Sequence, residues 1–181
     1  MDIDLISSII FLAIRAGTPL LLVALGELIC EKSGVLNLGQ EGMMLLGAVL
    51  GFVIAYESGS ALLGFIAAAT TGIFASLIFA IIVLQLFANQ VAVGLALTIF
   101  GLGLSSFVGA AYIGKSVDGV PSWDFSGLSE IPFFGDVFFS HDPIVYLALI
   151  MCPILYWFVY GTHAGLILRA VGESPETASR M

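Results

Sequence analysis

The sequence predicts an all-α, polytopic membrane helix bundle with about five spans, one of them broken or re-entrant near residues 34–42. Three observations carry that prediction. The first is composition: 60% of the 181 residues are hydrophobic, 10% are charged, and the mean hydropathy is +1.12. A soluble domain is about 45–50% apolar and roughly a quarter charged, so this chain lacks the polar surface to cover itself in water. The second is five apolar stretches that reach or approach the roughly 20 residues needed to cross a hydrocarbon core. The third is a set of small-residue stripes at helical spacing, the packing signature of neighbouring membrane helices.

The stretches run in order over residues 5–29, 43–56, 61–87, 91–113 and 144–160. The second is short, so it either starts inside the membrane or draws on the glycine-rich residues 34–42 before it. Short, glycine-interrupted segments mark broken helices around transport paths. Gly47, Gly51 and Ala55 form one stripe; Gly64, Ala68, Gly72, Ser76 and Ala80 form a second; Gly101, Ser105 and Gly109 form a third. Residues four apart share a helix face, and these stripes are read as packing surfaces. The N-terminus, MDIDLISSIIFLAI, is acidic where a signal peptide is basic, and no soluble domain is expected before or after the spans. A single domain over 1–181 is expected.

The net charge of −8 and pI near 4.3 exclude a nucleic-acid partner. Cys30 and Cys152 give no disulfide framework, and His141 and His163 have no metal-ligand spacing or nearby nucleophile. No catalytic residue, metal site or cofactor is expected, and the chain is not expected to be an enzyme. Gly109 to Ser116 fits the phosphate-loop pattern G-x-x-x-x-G-K-[ST], but an apolar span leads in and Val-Asp-Gly-Val-Pro leads out. That pattern cradles phosphates only between a strand and a helix, so the match is set aside.

Three polar features remain. Arg15 lies within the first span, four residues before Pro19, which is expected to kink that helix. A cation there must face protein or water. Two readings stand: a residue lining a pathway or partner interface, or a structural pair with a carboxylate or backbone carbonyls. The densest polar run, Gly26 to Gly42, places Gly34, Asn37, Gly39, Gln40, Glu41 and Gly42 where the next apolar run resumes. Glu41 there suits the positive end of a helix dipole. A plain hairpin with a helix cap fits the same residues. At the C-terminus, Ser174 can cap a short helix from Pro175 with Glu176 in its first turn, after a chain break at Gly172.

"PLLLVALGELICEKSGVLNLGQEGMMLLGA" (residues 19–48) and "GLILRAVGESPETA" (residues 165–178) resemble the permease subunits of bacterial ABC importers. The similarity is to the nucleoside and simple-sugar branch, with branched-chain amino-acid permeases more distant; "ANQVAVGLALT" (residues 88–98) adds a weaker match. The resemblance implies an all-helical permease that works with a second permease subunit in the lipid bilayer of the inner membrane. It also implies a cytoplasmic ABC ATPase subunit and an extracytoplasmic substrate-binding lipoprotein as partners. By that resemblance, Gly34, Asn37, Gly39, Glu41 and Gly42 belong to the translocation core. Arg169, Ala170, Gly172, Glu173 and Pro175 match the segment that couples to the ATPase. Family members continue with further spans, so the chain is expected to be the N-terminal part of a longer permease domain.

Loop charges give the orientation. With the C-terminus cytoplasmic and the N-terminus outside, Lys32, Arg169 and Arg180 lie inside and only Lys115 outside. The expected function is passage of a small polar solute, a nucleoside or simple sugar, driven by a separate ATPase. A self-contained channel or secondary transporter, or a structural membrane subunit, are the alternatives.

Overall fold

The computed structural model describes residues 3–122 and 137–174. Six α-helices are present among them: α1 (Ile3–Lys32), α2 (Gln40–Ser58), α3 (Ala61–Ala80), α4 (Gln90–Gly109), α5 (Pro143–Gly161) and α6 (His163–Glu173). A π turn, Ile81–Gln85, follows α3, and a 3-10 turn, Ala110–Tyr112, follows α4. No strand occurs among the described residues. Five helices, α1 to α5, are long and apolar enough to cross a membrane. Their large side chains, such as Leu62, Phe74, Ile99 and Trp157, are mostly exposed, as expected of surfaces that meet lipid.

The ends of the helices follow local chemistry. Ser60, Asn89, Asp142 and Thr162 each cap the helix that follows, accepting the backbone N–H of Leu63, Ala92, Val145 and Gly165 respectively. Pro143 sits in the first turn of α5, where its missing N–H costs nothing. Gly34 ends α1 in a left-handed conformation (φ 81°), with its N–H donated to the Glu31 carbonyl at 3.0 Å. The second span proves longer than its apolar run, because α2 begins at Gln40 and so takes in the end of the glycine-rich segment. The third proves shorter as regular helix: it passes into the π turn, and Phe87 then takes φ 54°.

The chain divides into two compact units, residues 35–119 and residues 1–34 with 120–181. In the first, α2 packs on both α3 and α4. Its core is Met43, Leu46, Ala75, Phe79 and Val83, flanked by Val35, Val93, Leu97 and Leu104. The glycine stripes bring these helices into backbone contact. A Cβ on Gly64 would lie 2.6 Å from the Ala55 Cβ, and one on Gly51 would lie 2.9 Å from the Ala68 Cβ. Gly72 takes no part in this close approach, since nothing lies within 4 Å of a Cβ there. In the second unit, α1 packs on α5, and α6 packs on the ends of both. Pro19 leaves α1 a continuous helix, although it removes the N–H that the Arg15 carbonyl would otherwise accept.

Candidate functional site

The polar run after α1 resolves into two pieces of structure. Residues 35–39 are irregular backbone laid along α4. Backbone outside a helix needs other partners for its polar groups, and three side chains supply them. The Leu36 N–H donates to Gln90 Oε1 at 2.8 Å, and Thr98 Oγ1 donates to the Leu38 carbonyl at 2.8 Å. Asn37, 5% exposed, accepts the Gly39 N–H on Oδ1 at 2.9 Å, an Asx turn that sets up the start of α2.

Glycines make this close approach possible. A Cβ on Gly39 would lie 3.1 Å from Leu97 Cδ2, and one on Gly42 would lie 2.5 Å from the Leu97 carbonyl oxygen. From the facing side, a Cβ on Gly94 would lie 2.9 Å from the Leu38 nitrogen, and one on Gly101 would lie 2.6 Å from the Gly42 Cα. Glu41 is exposed in the first turn of α2, the position that favours a carboxylate at the helix dipole. The sequence identified one side of this contact, Asn37, Gly39 and Gly42. Of the other side, Gln90, Gly94, Thr98 and Gly101, it gave only Gly101 a role. The missed signal was spacing: these four residues recur at intervals of four, four and three along one face of α4.

Gly34 belongs to the second piece. The chain turns at Thr162 and folds α6 back across the end of α5, where a Cβ on Gly165 would lie 2.6 Å from the Val159 carbonyl oxygen. The last turn of α6 then meets the last turn of α1. A Cβ on Gly172 would lie 2.9 Å from the Gly34 nitrogen and would strike the Lys32 carbonyl oxygen. Gly172 therefore lies inside a helix and does not break the chain; its missing side chain serves close approach. Arg169 stacks its guanidinium over the Tyr160 ring at 5.0 Å, and Ala170 accepts the Ser174 N–H at 3.0 Å. Glu173 is exposed, and so are Leu166, Ile167 and Val171. The helix expected from Pro175, and Pro175 itself, lie outside the described residues.

Arg15 is brought to neither piece, since about 25 Å of helix separates it from Lys32. Its Nε lies 3.6 Å from Asp142 Oδ2, which caps α5. Of its two readings, the structure contains the carboxylate pair. His141, next in the chain, is buried, stacked on Phe11 at 4.5 Å and bonded through Nε2 to the Val137 carbonyl at 2.8 Å. Among the described residues, no group of three His, Cys, Asp or Glu side chains is placed to hold a metal ion. The phosphate-loop match begins at the last residue of α4 and contains a 3-10 turn, and Lys115 lies 4.5 Å and 4.6 Å from the ring centres of Tyr56 and Tyr112.

Known proteins similar to this chain agree on one class. It is 41% identical over 172 residues, 93% of its length, to the protein named "Putative glucose ABC transporter permease protein TsgC13" of Haloferax volcanii, covering 52% of that protein. It is 35% identical over its whole length to the guanosine ABC transporter permease protein NupQ of Bacillus subtilis, covering 61% of it. It is 28% identical over 91% of its length to the nucleoside ABC transporter permease protein NupC of Lactococcus lactis, covering 55% of it. The chain thus spans between half and two thirds of the length of these relatives. No solved structure matches it. Residues 9–181 match the family model described as branched-chain amino acid transport system / permease component, and the chain belongs to that family.

Proposed function

We propose that this chain forms part of the membrane-spanning permease of an ATP-binding-cassette importer that passes a nucleoside or a simple sugar across the cell membrane. The relatives named for glucose, guanosine and nucleosides support that substrate class. In this reading ATP is hydrolysed on a separate cytoplasmic subunit, an extracytoplasmic protein delivers the solute, and a second permease subunit completes the path. Lys32, Arg169 and Arg180 then face the cytoplasm, with the N-terminus outside.

The observation that carries the reading is the seat of α6. It follows the last described span directly, and its Gly172 rests on the Gly34 turn that ends α1. Arg169 and Glu173 give it charge, while exposed Leu166, Ile167 and Val171 give it apolar surface for a protein partner. A push on α6 would be felt at the end of α1, at Lys32 and Gly34. Gly34, Asn37, Gly39, Glu41 and Gly42 serve in this reading as the translocation core, and Arg169, Ala170, Gly172, Glu173 and Pro175 as the coupling segment.

The test is co-purification of the full-length permease with an ABC ATPase subunit co-expressed from the same organism, followed by uptake of labelled guanosine and glucose into proteoliposomes. Retention of the ATPase by the native protein and its loss on Glu173→Arg is the expected result. Solute passage that needs no ATPase would overturn the reading in favour of a channel or secondary transporter.

A further inference from the structure

The Arg15–Asp142 pair marks where α5 begins alongside α1. Helix α1 is about 45 Å long, so its first turns continue past that point. Two cavities lie there. Ser7, Ser8, Phe11, Leu12 and Ser140 line one of 390 Å³; Arg15, Asp142, Ser122 and Val120, again with Phe11 and Ser140, line one of 230 Å³. The charged cavity is smaller than the roughly 300–1,000 Å³ usual for drug-sized ligands, a size that suits one sugar ring, and it shares Phe11 and Ser140 with the first.

The chemistry of the lining is specific. Arg15 can only donate hydrogen bonds and the Asp142 carboxylate can only accept them. A pair of neighbouring hydroxyls both donates and accepts, and so matches both at once. The opposite charges cancel, which disfavours an ionic ligand and suits a neutral one. Ser7, Ser8 and Ser140 make the adjoining walls polar. Phe11 supplies an apolar ring face, fixed from behind by its stack on His141 at 4.5 Å with the rings 4° apart. An ion pair in which the arginine side chain is 55% exposed adds little to stability, so packing alone is a poor account of it.

We propose that the cleft formed by Arg15, Asp142, Ser140 and Phe11 binds the vicinal diol of a neutral sugar ring, whether a free sugar or the ribose of a nucleoside. The proposal deepens the permease reading, on which it rests, by naming a place where the transported solute touches this chain.

The test is equilibrium binding to purified full-length permease in lipid nanodiscs, with D-glucose, D-ribose and guanosine as probes. At least one should bind, and Arg15→Gln and Asp142→Asn should each weaken it by about tenfold or more, the loss expected for hydrogen bonds to charged groups. Loss of binding on removal of one hydroxyl, as in 2′-deoxyguanosine, is part of the same expectation. Competition by glucose but not guanosine would identify a sugar site, and the reverse a nucleoside site. Should either variant fail to fold, a cysteine at Ser140 supplies the readout: the bound probe should slow its alkylation. The proposal is overturned if no probe binds at high millimolar concentration, if both variants bind as the native protein does, or if inorganic phosphate competes equally. Each of those results leaves the permease reading standing, because that reading is tested by ATPase recruitment and by the need of solute passage for the ATPase.

Discussion

Gly172 rests backbone to backbone on Gly34: a Cβ on Gly34 would lie 3.1 Å from the Gly172 Cα. No side chain intervenes to absorb a displacement. The Gly34 position is doubly restricted, since its φ of 81° suits glycine and its space is filled by another glycine. Two helix ends far apart in sequence are thereby held as one corner.

Gly172→Ala should cost about 1–3 kcal/mol, the usual range for forcing extra atoms into a filled contact. Thermal unfolding of the detergent-purified protein measures it. Gly172→Trp should go further and lift α6 away from α1. In the full-length transporter, membrane yield should hold while solute no longer stimulates ATP hydrolysis. Normal coupling in the tryptophan variant would show that this corner carries no signal.

The seat of residues 35–42 on α4 offers a comparison within one helix. Gly101→Ala places a Cβ 2.6 Å from the Gly42 Cα and should lower stability by about 1–3 kcal/mol. Gly103, two residues on, has nothing within 4 Å, so Gly103→Ala should be neutral or should stabilise by up to about 1 kcal/mol through helix propensity. Equal melting temperatures for the two variants would mean that α2 and α4 are not in this contact.

The same seat depends on hydrogen bonds that helices do not need. Gln90→Leu leaves the Leu36 N–H without its acceptor, and Thr98→Val leaves the Leu38 carbonyl without its donor. Each should cost about 0.5–1.5 kcal/mol, the net worth of an ordinary hydrogen bond. Limited proteolysis should show faster cleavage within residues 34–39 in both variants. Unchanged cleavage would indicate that water already satisfies this backbone.

These contacts explain how far the sequence could be read. Span number and the packing role of Gly47, Gly51 and Gly64 followed from hydropathy and spacing, because lipid imposes both. Asn37 and Gly39 stood out as polar and flexible residues beside an apolar run. Gln90 and Thr98, which bond Leu36 and Leu38, did not, because their helical spacing marks a shared face of α4 without telling which distant segment lies on it. Gly172 read as a chain break because glycine permits a bend and a close approach equally. Only its neighbour Gly34 decides between them. The Arg15 partner stayed open for the same reason: Asp142 reads locally as a helix cap, and it is one.

Orientation rests on few charges, so it should be measured directly. Lys115 is the basic residue assigned to the outer side, and it lies between the rings of Tyr56 and Tyr112 while Tyr112 donates to Glu57 at 3.0 Å. Aromatic rings that hold a cation suit a membrane–water boundary. Ser116, the next residue, is exposed and gives a clean labelling position; Glu31, exposed in the last turn of α1, gives the opposite one. With Cys30 and Cys152 first replaced by alanine, Ser116→Cys should react with a membrane-impermeant maleimide in intact cells. Glu31→Cys should react only after lysis. The inverse pattern would place the Gly34–Gly172 corner outside, where no cytoplasmic ATPase could reach α6, and the coupling role would fall with it.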